Sequence, residues 1–127
     1  MTDLFAAIMT RYAAVPLASS LTGGLFNTEA PQDAVFPYGV FQLISDVPDW
    51  TYGENLENIL LQFNIFSSTD TPVEICALYG LLKTAFDFLD LTIANYETVS
   101  MIRANAILIR DGYWQYNVTY RVILGKT

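Results

Sequence analysis

Apolar and polar positions change their period several times along this chain, and each change marks an element. Residues 3–14 carry Leu4, Phe5, Ile8, Met9 and Tyr12 at helical spacing, a single apolar stripe with Thr2 or Asp3 as the N-cap. Pro16 stops that helix. Residues 16–37 read as loop, punctuated by Ser19-Ser20, Gly23-Gly24, Pro31 and Pro37, with Leu21, Leu25 and Phe26 pinning it to the core. Tyr38 to Ser45 reads as a strand, with Pro37 at its start, where a missing N–H does least harm. Asp46 to Asn55 reads as a polar loop holding Trp50 and Tyr52. Glu57 to Phe66 is a clear strand: Ile59, Leu61, Phe63 and Ile65 alternate with Asn58, Leu60, Gln62 and Asn64, and only Leu60 breaks the polar face.

Ser67 to Thr71 reads as a turn. Asp70 or Thr71 caps a second helix with Pro72 at its first position and Glu74 in its first turn, running to about Leu89. Val73, Cys76, Leu78, Tyr79, Leu82, Phe86 and Leu89 cover a wide arc, which predicts packing on more than one side and makes Cys76 a small core residue. Val99–Arg110 and Tyr113–Leu124 form a hairpin around Asp111-Gly112. A two-residue turn pairs Ile109 with Trp114, Ile107 with Tyr116, Asn105 with Val118 and Arg103 with Tyr120 on one face. It pairs Leu108 with Gln115, Ala106 with Asn117 and Ile102 with Arg121 on the other, and both faces read as partly covered. A slip of one residue would exchange the faces. In this register Arg103 is placed to lie on the Tyr120 ring. The order α-β-β-α-β-β predicts a single α+β domain over residues 1–127. Its antiparallel sheet has four strands or slightly more, with two helices packed on one face.

Composition adds a need for partners. Charged residues make up 15% of the chain and apolar residues 53%; an ordinary domain is roughly 25% charged. So much apolar surface predicts contact with other subunits, the alternative being a monomer with an unusually large core. The charges are also segregated. Between Arg11 and Lys83 there is no Lys or Arg, yet that stretch holds Glu29, Asp33, Asp46, Asp49, Glu54, Glu57, Asp70 and Glu74. Arg103, Arg110, Arg121 and Lys126 then crowd the end of the chain beside Asp111. An acidic part and a basic part suit a head-to-tail contact between copies, which closes into a ring or runs on as a filament. Asp46, Asp49, Trp50, Tyr52, Glu54, Arg103 and Arg121 are the candidate subunit-interface residues, the two aromatics as contact anchors or as caps on the sheet.

A net charge of −7 argues against nucleic acid and anionic membrane surfaces as partners. Met1-Thr2-Asp3 opens acidic with no secretory pattern, and no apolar run approaches the roughly 20 residues that cross a bilayer. Cys76, the one cysteine, leaves no internal disulfide and suits a reducing compartment. Asn117-Val118-Thr119 matches a glycosylation sequon but falls inside a predicted strand. Histidine is absent, which removes Ser-His-Asp and Cys-His sites and the usual zinc ligands. Gly23-Gly24 lacks phosphate-loop spacing and reads as turn glycine. No catalytic, cofactor or metal set is predicted. The remaining chemical alternative is an acid/base pair or calcium site built from Asp46, Asp49, Glu54 and Glu57.

Several segments, in order, resemble one family. A short amphipathic N-terminal helix leads to Leu21-Thr22-Gly23-Gly24-Leu25-Phe26. Ala30-Pro31 follows, then Phe36-Pro37-Tyr38-Gly39-Val40-Phe41 opening the first strand. A polar-alternating strand and a helix come next, then a closing hairpin in which Asp111-Gly112-Tyr113-Trp114-Gln115 leads to Tyr120-Arg121-Val122. Over nearly its full length the chain resembles the tail completion or tail terminator proteins of long-tailed bacteriophages and phage-like particles. The resemblance implies a non-enzymatic virion protein without a cofactor, made in the bacterial cytoplasm. It implies a homo-oligomeric ring, typically a hexamer, at the head-proximal end of the tail tube. That ring stops tube polymerisation and meets two partners, the tail tube protein and the head connector protein. Alternatives are another connector or tube subunit, or a small acidic ligand-binding or enzymatic domain using the carboxylates of 46–57.

Overall fold

The computed structural model describes residues 2–49, 56–87, 92–93 and 96–126. Among them the order is α1 (Thr2–Ala13), α2 (Leu17–Ser20), β1 (Leu25–Asn27), β2 (Tyr38–Asp49), β3 (Leu56–Ser67), α3 (Val73–Phe86), β4 (Thr92–Ile93), β5 (Tyr96–Asp111) and β6 (Tyr113–Lys126). The strands form one sheet in the order β1-β2-β3-β6-β5-β4. The expected α+β class holds, and the four long strands are antiparallel. Two details differ from expectation. The sheet gains two short outer strands, of which β1 runs parallel to β2, and there are three helices. Pro16 does not simply end a helix: with φ −58° and ψ −22° it starts the single turn α2. Elements this short carry no measurable period in the sequence.

The helices meet one face of the sheet. Leu4, Ala7, Ile8 and Tyr12 of α1 are buried, whereas Met9 is exposed and lies off the stripe. From α3, Ile75, Leu78, Leu82, Ala85 and Phe86 enter the core, opposite Phe41, Ile59, Leu61, Phe63, Ile65, Val118, Tyr120, Val122 and Leu124. Phe63 sits at the centre, its ring 4.9 Å from Phe86 and 5.7 Å from Tyr120. The strand alternation predicted for 57–66 is the one observed. The wide apolar arc of α3 is not all covered: Val73 is 73% exposed and Cys76 is exposed. The helix phase set by Ile75, Leu78, Leu82 and Phe86 turns both outward, so Cys76 is a surface thiol and not a core residue. The helix also starts without a side-chain cap, at Pro72. Ser67, fully buried, donates instead to Glu74 at 2.7 Å, fastening the first turn of α3 to the end of β3.

Two strand expectations are corrected. The segment 46–49 is not loop: β2 continues through Asp46, Val47, Pro48 and Asp49, past a bulge between Leu43 and Ser45. The expected loop residues Trp50, Tyr52 and Glu54, like Leu89, lie outside the described residues. The hairpin closes around Gly112 alone, at φ +71°, with Asp111 opposite Tyr113. Near the turn the pairs are therefore Leu108–Tyr116, Ile107–Asn117 and Ala106–Val118, one residue off expectation. A bulge between Arg103 and Asn105 restores the expected Arg103–Tyr120 and Ile102–Arg121 pairs. The gain is physical. The bulge keeps both Arg103 and Ala106 on the helix side and sends Asn105 to the other, where it is exposed.

Candidate functional site

Glycines determine how the first motif is used. The Gly23 N–H donates to the Pro37 carbonyl at 2.9 Å, and the Gly39 N–H donates to the Gly24 carbonyl at 2.9 Å. A Cβ on Gly23 would collide with the carbonyl oxygen of Val35, and Gly24 has φ +90°. Only glycines let the chain come this close and turn this way. Leu-Thr-Gly-Gly-Leu-Phe and Phe-Pro-Tyr-Gly-Val-Phe are thus one structural unit, hooking β1 alongside the start of β2, with a cis bond at Phe36–Pro37.

The same unit joins the closing hairpin through aromatic rings. Tyr38 stacks on Phe66 at 4.9 Å, Phe66 meets Tyr113 at 5.7 Å, and Phe36 lies 5.3 Å from Tyr38 and 5.8 Å from Tyr113. Phe26 adds an edge to Tyr38 at 6.5 Å. Burial, and then neighbouring Tyr113, push the Tyr38 hydroxyl above the usual tyrosine range. The cluster stands at one end of the sheet face that lacks helices. Beside it a groove of about 440 Å³ runs between the 28–32 loop and Tyr38, Val40, Gln42, Asn64 and Phe66. Thr28, at its lip, holds φ +69°, a strained setting for a β-branched residue. Amides run across part of this face, with Gln42 donating to Gln62 at 3.1 Å and Gln115 to Asn117 at 2.7 Å.

On the helix side, charge is spent on an internal strut. Arg103 Nη1 lies 3.1 Å from Asp87 Oδ2, at ion-pair distance though without an aligned N–H, and the Tyr120 hydroxyl donates to Asp87 Oδ1. Arg103 also stands 5.7 Å from the Tyr79 ring, which stacks on Tyr116 at 4.1 Å. The ring over which Arg103 lies is therefore Tyr79, not Tyr120; Tyr120 shares its carboxylate. Burial first, and then the bond to Asp87, drive the Tyr120 hydroxyl far above its ordinary value. Sequence reasoning missed Asp87. Its signal was available, because an arginine in a core-facing strand position requires an acid, and Asp87 closes α3.

The other candidate interface residues fall in different places. Arg121 is exposed on the helix-free face, between Leu60 of β3 and Ile102 of β5. Asp46 and Asp49 stand on β2 opposite Ile59 and Leu56. Trp50, Tyr52 and Glu54 lie outside the described residues. Of the alternative carboxylate set, Glu57 stands opposite Pro48. Among the described residues no three His, Cys, Asp or Glu side chains gather as metal ligands, and no helix is long and apolar enough to cross a membrane.

Comparison with known proteins shows where this fold recurs. The fold is similar to that of a chain in the virion of a native gene transfer agent particle, with a TM-score of 0.82 and 14% identity, covering 98% of this chain and 96% of that one. It is also similar to the gp17 protein of bacteriophage SPP1, with a TM-score of 0.61 and 18% identity, over 95% of this chain and 88% of that one. Comparison with curated proteins finds no match. The class is that of structural proteins of phage-type tails. Within it, the chain belongs to the tail completion protein gp17 family, whose sequence model matches residues 6–124. It is a structural protein of the virion tail.

Proposed function

We infer that this chain is a ring subunit that caps the head-proximal end of the tail tube, stops tube polymerisation and joins the tail to the head connector. The observation that carries the ring is the distribution of charge across the sheet. β1 and β2 lie on one side and β5 on the other, with β3 and β6 between. The acids of 29–49 go with the first side, which has no base, whereas β5 carries Arg103 and Arg110 together with Glu97 and Asp111. An acid-only side on one flank and arginines available on the other favour a head-to-tail contact, the heterologous kind that closes into rings. Six copies is the number typical of the proteins it resembles. Its partners in this role are the tail tube protein and the head connector protein, and no step of the role requires catalysis or a cofactor.

Electron microscopy of the purified protein, paired with sedimentation, tests the ring. Closed rings of uniform diameter that weaken as salt rises are expected, and Arg110→Glu, on the β5 side, should weaken them further. Long tubes would make the chain a tube subunit instead. A monomer at high micromolar concentration and low salt would contradict the ring altogether.

A further inference from the structure

Each flank of the sheet ends in a long strand that its outer neighbour scarcely covers. β4 pairs only with Tyr96 and Glu97 of β5, and β1 pairs only with Gly39, Val40 and Phe41 of β2. Among the described residues, Met101–Asp111 of β5 and Gln42–Asp49 of β2 therefore have a partner on one side only. A long open edge is a template for another strand, and folds normally guard it with charge, proline or a bulge. Here the guard is partial. Ala104–Ile109 is an uncharged run of Ala, Asn, Ala, Ile, Leu and Ile, the kind of segment that associates when left bare. Four of the exposed large apolar side chains lie on these two strands: Ile44 on β2 and Ile102, Ile107 and Leu108 on β5.

Resting on the ring reading, we propose that the subunit contact is strand pairing, with the β5 edge of one copy joining the β2 edge of the next in one continuous sheet. Three successive antiparallel steps separate β2 from β5, so the two run in opposite directions. Copies in the same orientation then continue the antiparallel alternation across the joint. Before Pro48 the open β2 edge carries Asp46 and no base, whereas the open β5 edge carries Arg103, Arg110 and, next to Arg110, Asp111. The competing arrangement, β5 against β5 about a two-fold axis, is disfavoured. Centred on the uncharged run, it sets Arg103 of each copy against Arg110 of the other, a like-charge opposition. Arg103 is held by Asp87, so exposed Arg110, 4.7 Å from the Trp114 ring, is the arginine with most freedom to reach across. Pro48 cannot donate, which confines the joint to the part of β2 before it.

The test is sedimentation velocity of the purified full chain at low salt, with circular dichroism to confirm folding. Arg110→Glu and Asp46→Arg should each weaken the contact about tenfold, and the double variant should regain it. Ile107→Lys, placing a charge within the open edge, should abolish assembly while leaving the fold intact. If wild type assembles and no variant alters it, the ring stands but its contacts lie elsewhere, and the pairing is overturned. Weakened single variants without recovery in the double also overturn it. Stronger assembly of Arg110→Glu would establish β5 against β5 and overturn it as well. A wild type that never assembles would sink the ring reading itself, and the pairing with it.

Discussion

Asp87 ties three parts of the chain together, since it ends α3, faces Arg103 and accepts the Tyr120 hydroxyl. Removing it leaves a partly buried guanidinium and a buried hydroxyl without their shared acceptor. Asp87→Ala should lower stability by about 2 kcal/mol in urea unfolding, a figure discounted because the pair is partly exposed. Asp87→Asn keeps an acceptor for Tyr120 and should lower it by about 1 kcal/mol. The same group sets an alkaline limit. Because folding raises the Tyr120 pKa above its ordinary 10.0, the protonated ring stabilises the fold fully below that pH, and this contribution is lost as pH rises beyond it. The melting temperature should fall above about pH 10, and less steeply in Tyr120→Phe. The slope should not vanish there, because burial also raises Tyr12, Tyr38 and Tyr116.

At the scale of elements, the glycine hook and α3 make opposite predictions for the same substitution. Gly23→Ala drives a Cβ into the Val35 carbonyl and to 2.9 Å from the Tyr38 Cβ, and should lower stability by about 1–3 kcal/mol. Gly80→Ala, in the middle of α3 with nothing within 4 Å, should raise it by about 0.5–1 kcal/mol. Denaturant unfolding of both variants checks the contrast. The elements also show what could be read in advance. Ile59, Leu61, Phe63 and Ile65 alternate because one face of β3 is buried, and that alternation is written in residue type. The glycine motif was legible as a turn but not as a joint, since the partner of Gly23 is Pro37, fourteen positions on. Pro48 and Asp46 looked like loop because an edge strand tolerates residues that an interior strand rejects. The Arg103–Asn105 bulge was invisible because either register offers mixed faces. Both set Arg103 opposite Tyr120, and they differ in whether Asn105 or Ala106 stands opposite Val118.

Across the whole molecule, helices close one face and leave the other as amide ladder, groove and aromatic cluster. Three segments that carried the family resemblance converge on that cluster: Phe26 from the first, Phe36 and Tyr38 from the second, and Tyr113 from the hairpin. Their order in the chain was readable, but their meeting place required the sheet topology. Of the seven candidate interface residues, Arg103 is engaged within the subunit and Arg121 is exposed. The charge split reads directly from sequence, but which flank of the sheet each charge joins requires the strand order. The central claim is that these features serve to end a tube, and growth of purified tail tube protein with and without this chain tests that most directly. We predict that labelled protein sits only at one end of each tube and that tubes bearing it cease to lengthen at that end; label distributed along the walls, or growth unaffected by the protein, would contradict the account.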